Sequence, residues 1–271
     1  MDYFESFLIA LLQGVTEFLP ISSSGHIVIM QGLLGQDLDQ GMVFNIITHF
    51  GTLGSIVIYF RKELGEMAVS AWQVFSRPTT IVSRWQEDEA MRFNMYVLLS
   101  MIPAGVVGFT LRHQLNDLFA NPVGVASMFI VTGSFLYVTR FFHEKNRALT
   151  TGNTFIIGIA QAFALIPGIS RSGATISMAI YLGINRDDIA KFTFIMMLPV
   201  VAGATLVELL EIGAGGVEAS YYPHLLLGFF VALLSGYYSL KYLIRIFKSG
   251  HIHHFSWYCW AVGGLTLWYF I

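Results

Sequence analysis

Two short segments place reactive side chains in surroundings otherwise as apolar as a membrane core. The first, Gln13 to His26, carries a carboxylate at Glu17, hydroxyls at Ser22, Ser23 and Ser24, and an imidazole at His26. The second, Gln161 to Thr175, sets Ser170, Arg171, Ser172 and Thr175 around Gly168 and Gly173. Ionisable groups at membrane depth are costly unless paired or facing water, so they mark a site by default. Gln13 and Glu17 share one helical face at i,i+4, and Ser22, Ser23 and His26 cluster at i,i+3 and i,i+4 if the turn after Pro20 is helical. Serine hydroxyls, amides bared by glycine and half-helix N-termini present donors, and an arginine fork matches phosphate geometry. The inventory suits an oxyanion, phosphate above all. Glu17 opposes that unless it serves as a base or holds a divalent cation against the phosphates.

The elements that must position these groups follow from composition. The chain has 55% hydrophobic and 12% charged residues with a mean hydropathy of +0.64, against about 25% charged in a soluble domain. An integral membrane protein is expected. Apolar runs at 40–60, 93–111, 118–139, 219–240 and 249–271 each reach the roughly 20 residues of a helical span, and a sixth near 190–212 has Lys191, Glu208 and Glu211 at its ends. The acidic start, Met1 to Glu5, lacks the basic region of a signal peptide, so the apolar beginning is expected to belong to the fold.

Net charge is −2 and says little about partners, but the cations are unevenly placed. Arg61, Lys62, Arg77, Arg84 and Arg92 fill one connection, Arg140, Lys145 and Arg147 another, and Lys241, Arg245 and Lys248 precede the last span. The positive-inside rule makes those connections cytoplasmic. Loops 113–118 and 213–222, with Glu218 in the second, then lie outside, as do Asp37, Asp39 and both termini. The connection 61–92, with Trp72 and Trp85, reads as an amphipathic cytoplasmic loop. The single Cys259 permits no intramolecular disulfide and reads as apolar filling.

Gln13 and Gln161 are 148 positions apart, and the same offset pairs Ile21 with Ile169, Ser22 with Ser170, Ser24 with Ser172, Gly25 with Gly173 and Phe44 with Phe192. One membrane domain, 1–271, therefore divides into halves 1–147 and 148–271. Each half has a motif segment followed by three spans. Three is odd, so the second half must cross the membrane upside down, an inverted-topology repeat with its site where the halves meet. The motif segments are too interrupted for simple spans, because proline lacks a donor and glycine weakens helix. Residues 6–35 and 154–185 are expected to be re-entrant hairpins with facing tips, lining a wet cavity. The expectation is an all-α polytopic protein with six full transmembrane helices and two re-entrant helical hairpins.

Gln-x3-Glu, Pro-x-Ser-Ser-Ser-Gly-His and Pro-Gly-x-Ser-Arg-Ser-Gly-Ala-Thr, standing at 13–17, 20–26 and 167–175, together resemble the undecaprenyl-diphosphatase family of bacitracin-resistance membrane proteins. The likeness covers essentially the whole chain. It implies hydrolysis of undecaprenyl diphosphate to the monophosphate carrier and inorganic phosphate, with Mg²⁺ or Ca²⁺, in the bacterial inner membrane. It further implies a role in recycling the lipid for peptidoglycan synthesis and cell shape, and in antibiotic resistance. Partners so implied are a polyprenyl diphosphate and membrane lipid, with no nucleic acid; a homodimer is compatible. The family's acidic motif takes Glu or Gln at its first position, and with Gln13 here Glu17 is the one certain carboxylate for a metal.

Within that resemblance Arg171 grips the phosphates and stabilises transition-state charge. Ser23 leads as nucleophile with His26 as its base, while attack by His26 itself or by water stays open. Glu17 holds the cation or orients His26. Gln13, Ser22, Ser24, Ser170, Ser172 and Thr175 line the substrate, and Gly168 and Gly173 admit close backbone approach. Since the first motif enters from outside, the pocket is expected to open to the periplasm, with a lateral gap for the lipid tail. Plainer readings stand beside these. Small residues often only allow close helix packing, and Glu17 with Arg171 could be a structural ion pair. His49 reads as a packed histidine without an identifiable partner, and His251, His253 and His254 as an interfacial tract. A transporter or flippase of the lipid carrier, alone or combined with hydrolysis, is the rival function, because inverted repeats suit alternating access.

Overall fold

The structure is a computed structural model describing residues 2–34, 42–77, 79, 81–111, 114–115, 118, 121–143, 145–212 and 219–271. Asp37, Asp39 and Glu218, parts of both external loops, and the side chains of Glu208 and Glu211 lie outside the described residues. Thirteen α-helices are described: α1 (Tyr3–Phe18), α2 (Ser23–Leu34), α3 (Met42–Tyr59), α4 (Arg61–Ser76), α5 (Ile81–Glu87), α6 (Glu89–Thr110) and α7 (Pro122–Val138), then α8 (Thr151–Phe163), α9 (Arg171–Tyr181), α10 (Arg186–Ile195), α11 (Met197–Ile212), α12 (Tyr222–Lys248) and α13 (Phe255–Phe270). Among the described residues the only extended pairing is an isolated bridge between Arg147 and Ile184.

Glu89–Thr110, Pro122–Phe141, Arg186–Val207 and Tyr222–Lys248 are long and apolar enough to cross a bilayer. The chain is an all-α polytopic membrane protein. These four segments overlap the expected spans 93–111, 118–139, 190–212 and 219–240, the third being α10 followed by α11. The expected span 40–60 becomes α3, followed by an 85° bend into α4. For 249–271 the structure has a 3₁₀ turn, Ile252–His254, and then the 16 residues of α13. At about 1.5 Å per residue that helix is roughly 24 Å long.

The region 61–92 is not a loop. It forms α4 and α5, joined to each other by Arg84 donating to Gln73 (2.6 Å), with α4 tied to α6 by Ser70 Oγ donating to Asp88 (2.7 Å) and Asn94 donating to the Met67 carbonyl (2.9 Å). Its amphipathic character survives: Val69, Trp72 and Phe75, at three-residue steps along α4, are all exposed. Such a stripe on a helix bent away from a span suits the interfacial plane of a membrane.

Capping fixes where the hairpins begin. Asp2 and Glu5 form a reciprocal box at α1 (2.7 and 2.9 Å), and Thr150 and Asn153, 148 residues on, do the same at α8. α1 then packs on α12 and α8 on α6, while α7 packs on α13 and α3 on both α12 and α11. The first two pairs approach backbone to backbone. A Cβ added at Gly14 would stand 2.8 Å from the Ala232 carbonyl, and one at Gly158 2.4 Å from that of Ser100. Close approach through small residues replaces the hydrophobic driving force that lipid does not supply.

Gly158→Ala is therefore expected to lower thermal stability in detergent by about 1–3 kcal/mol, as overpacking does. Gly65→Ala, where an added Cβ meets nothing within 4 Å, should instead raise it by up to about 1 kcal/mol. A second expectation concerns Asp88, the N-cap of α6, which accepts from the Met91 N–H at 3.1 Å. Burial pushes its carboxyl up, but hydrogen bonds from Ser70, Met91 and Ala90 and the Arg84 charge outweigh this and hold it below the usual value. A depressed folded-state pKa gives stability that is present above the unfolded value and is lost as pH falls through the lowered one. Asp88→Ala should cost about 0.5–2 kcal/mol at neutral pH and should flatten the acid limb of melting temperature below about pH 4.

Candidate active site

Each motif breaks its helix through a left-handed residue, though not at matching positions. α1 ends at Phe18, Leu19 turns extended, and Ser22 takes a left-handed φ of 66° before α2 starts at Ser23. In the second motif α8 ends at Phe163, Gly168 takes a φ of 92°, and α9 starts at Arg171. Ser22 and Ser170, related by the 148-residue offset, each accept the N–H three residues on, from Gly25 (3.3 Å) and Gly173 (3.1 Å). Their hydroxyls thus cap helices, a structural task beside any contact with substrate.

The two tips meet. Ser172 Oγ donates to the Leu19 carbonyl (3.2 Å), and a Cβ added at Gly25 would lie 3.1 Å from Gly168 Cα and 2.4 Å from the Phe129 ring. At Gly168 an added Cβ would stand 2.4 Å from the Val125 carbonyl, so glycine is required there for space as well as for its φ. Thr132 on α7 clasps the second tip, donating to the Gly168 carbonyl (3.0 Å) and accepting from the Ser170 N–H (3.2 Å). The N-termini of α2 and α9, with their positive dipole ends, are thereby brought together.

Beside the tips is a buried polar cluster. Glu17 is 7% exposed and Gln13 is fully buried. Glu17 Oε2 accepts from Gln13 Nε2 (2.8 Å) and from Ser23 Oγ (2.7 Å). A carboxylate only accepts, so Glu17 dictates which way the Gln13 amide faces. The same Nε2 lies 3.1 Å from His49 Nδ1, which is itself 3.9 Å from Glu17 Oε2. His49 therefore joins the cluster rather than merely packing in its span. Ser23 is paired with Glu17, not with His26.

Arg171, at the first position of α9, is close enough for its charge to act on Glu17 without a direct ion pair. Its Nε and Nη1 are buried with no hydrogen-bond partner, as is Gln13 Oε1. Unmet donors of this kind cost about 1–3 kcal/mol each, more when charged. Ser172 and Thr175 are already engaged, Thr175 Oγ1 donating back to the Arg171 carbonyl at 2.9 Å. Ser24 is half-buried at the tip.

His26, one turn after Ser23, has both ring nitrogens occupied. Nδ1 lies 2.7 Å from the Ser22 carbonyl, and Nε2 lies 2.8 Å from the Tyr258 hydroxyl. A carbonyl only accepts, so Nδ1 carries the proton and, in the neutral ring, Nε2 accepts from Tyr258. The Phe129 ring meets His26 edge-on at 5.0 Å. Tyr258, Thr132 and His49 are the members that spacing could not find. They reach the motifs from other helices, and no periodic signal links partners 232 residues apart.

Among the described residues no three His, Cys, Asp or Glu side chains gather as a metal cage. The donors nonetheless suit Mg²⁺ or Ca²⁺ held jointly with a substrate. Glu17 offers a carboxylate, and the unpartnered Gln13 Oε1 is a neutral oxygen facing nothing that donates. Such ions commonly take one or two carboxylates and complete their shell with phosphate oxygens and water.

The chain matches the family described as Bacitracin resistance protein BacA over residues 6–265. Curated relatives named undecaprenyl-diphosphatase are similar along their whole length. The protein of Salinibacter ruber is 36% identical over 269 residues, covering 99% of both chains. That of Desulfatibacillum aliphaticivorans is 34% identical over 276, covering 98% of both, and that of Halothermothrix orenii 36% over 266, covering 97% of this chain and 96% of the relative.

The unmet guanidinium nitrogens make a direct prediction. Pyrophosphate or a non-hydrolysable diphosphonate should raise the melting temperature of the detergent-solubilised protein, with a stabilisation near 2.7 kcal/mol at a hundred times its Kd. Arg171→Ala should abolish the rise.

Proposed function

The chain belongs to the bacitracin resistance protein family, and on that premise we propose that it is a phosphatase removing the terminal phosphate of undecaprenyl diphosphate. The observation that carries this reading is that the joined tips each start a helix with a reactive group. One tip gives the Ser23 hydroxyl, hydrogen-bonded at 2.7 Å to Glu17; the other gives the Arg171 guanidinium with two buried, unpartnered nitrogens. A hydroxyl with its base shares the site with a cation that lacks an anion.

In the mechanism we favour, Glu17 takes the Ser23 proton as Oγ forms a bond to the terminal phosphorus. The bridging P–O bond breaks, and undecaprenyl phosphate leaves with that oxygen and its electron pair. Water then cleaves the phosphoserine, giving inorganic phosphate and restoring Ser23. Arg171 and the converging amides of α2 and α9 hold the charge that builds on the equatorial oxygens, which is the larger part of phosphoryl-transfer catalysis. Once Tyr258 no longer holds it, His26 Nε2 can take up a proton from water, and the imidazolium so formed can give that proton to the leaving oxygen. Glu17 and Gln13 would hold a divalent cation with the substrate; when bound, it neutralises phosphate charge and makes the leaving group better.

The same reading places the protein in the bacterial cytoplasmic membrane with both termini and the pocket on the external face, where it recycles the lipid carrier for wall synthesis. An inverted repeat of 1–147 and 148–271 fits the packing. α1 on α12 and α8 on α6 exchange under a pseudo-two-fold, while α7 with α13 and α3 with α11 map onto themselves.

Purified protein with Mg²⁺ or Ca²⁺ should release phosphate from undecaprenyl diphosphate. Arg171→Ala and Glu17→Gln should each lower kcat/KM by about 10²–10³ or more with melting temperature maintained. Ser23→Ala should do the same and abolish a trapped phosphoserine. Movement of intact diphosphate lipid across vesicles without phosphate release would favour a carrier instead.

A further inference from the structure

A lipid diphosphate poses a geometric demand that the polar cluster alone does not meet. Its head must be buried at the tips while its tail leaves through apolar surroundings. The His26–Tyr258 contact marks where such an exit begins. α2 and α13 both pack on α7, and the Tyr258 ring stacks on the His26 ring at 5.7 Å and 18° across the seam between them. Tyr258 is 44% exposed, so this seam is the outer wall of the site.

Beyond that pair the seam opens into an apolar groove of about 250 Å³. Ile29 of α2 lines it, one turn after His26, and so do Leu265, Trp268, Tyr269 and Phe270 of α13. Tyr258, Leu265 and Tyr269 fall at i, i+7 and i+11, one stripe of a helix. No ionisable carboxylate, amine or guanidine lines it. Below the roughly 300–1,000 Å³ that hold a whole drug-sized ligand, its volume suits a short length of hydrocarbon, the rest lying in the bilayer.

We propose that the seam between α2 and α13 is the groove for the polyprenyl tail of the substrate, with Tyr258 bridging its inner end until a diphosphate head arrives; this rests on the phosphatase reading above. The occupant follows from continuity. The groove begins at Ile29, one helical turn beyond His26 on the same helix that Ser23 opens, so the isoprene units of a tail whose terminal phosphate lies at Ser23 lead along that helix into it. A bilayer phospholipid keeps its phosphate at the membrane surface and would have no reason to approach the buried cluster. A larger cavity, about 1,000 Å³ between α4, α5 and the start of α6, is lined by Glu66, Ser70, Gln73, Arg84 and Asp88 and suits no hydrocarbon. Tyr258 acts through His26 and is a positioning residue: its hydroxyl holds Nε2 as an acceptor while the site is empty, and its release lets Nε2 take up the proton from water that it then gives to the leaving oxygen.

The test uses full-length protein in detergent and a benzophenone-tagged polyprenyl diphosphate as photoprobe. Crosslinks should map to α2 and to 258–270, and polyprenyl monophosphate should compete them away. Leu265→Trp, which fills the groove, should raise KM for the long-chain substrate about tenfold, as losing contact with roughly two methylenes does, with kcat unchanged. The same variant should leave hydrolysis of dimethylallyl diphosphate, too short to reach the groove, as in wild type. Tyr258→Phe should shift the pH profile of kcat/KM, which a packing role would not. Crosslinks on other helices, equal effects of Leu265→Trp on both substrates, or displacement of the probe by phospholipid but not by polyprenyl monophosphate would each overturn the proposal. If wild-type protein hydrolyses neither diphosphate, the phosphatase reading fails on its own, and the crosslink map and its competition still decide the groove.

Discussion

Contact between two broken helix ends, deep in an apolar bundle, is the constraint on which everything else depends. Backbone that leaves its helix at such depth must find partners inside the protein. Here the partners come from the opposing tip and from one flanking helix. Ser172 reaches the Leu19 carbonyl, Thr132 serves both Gly168 and Ser170, and Gly25 lies on Gly168 with no side chain between. Once the tips are held, the first turns of α2 and α9 are fixed facing each other. Ser23 and Arg171 follow, because each is the first residue of its helix. The reactive groups need no separate device to bring them together.

Much of this was legible from residue types alone. The hairpins were readable because Pro20, Pro167 and the glycines beside them interrupt apolar runs too short to span, and the offset of 148 residues reappears in matched helix caps at Asp2 and Thr150 and at Ser22 and Ser170. Four spans were plain from hydropathy. What escaped was non-local. His49, Thr132 and Tyr258 sit in long apolar helices, where a lone polar side chain gives no sign of which way it points. The partner of Ser23 is non-local for a related reason. One-turn spacing brings His26 near it, but its hydroxyl donates to Glu17, six residues back across a bend. The 61–76 segment was amphipathic as read, yet its helix rests on anchors to α5 and α6 that no local pattern contains.

The two motifs use matched positions unequally. By the 148-residue offset Gln161 is the counterpart of Gln13, and both are fully buried. Gln13 has Glu17 and His49 to bond, whereas the corresponding positions carry Leu165 and Met197. Neither amide atom of Gln161 has a partner. The first motif thus keeps the acid and the hydroxyl, and the second supplies the guanidinium. Opposite charge is divided between the motifs, so neither alone could treat a phosphate as both target and anion.

α7 gives this division a mechanical meaning. Its Thr132 clasps one hairpin, and its Phe129 abuts Gly25 and His26 of the other. A single helix is therefore the common anvil for both. Any motion that drew the hairpins apart would have to tear that anvil from one of them at every stroke, then reseat it. A bundle that keeps both seated leaves it undisturbed.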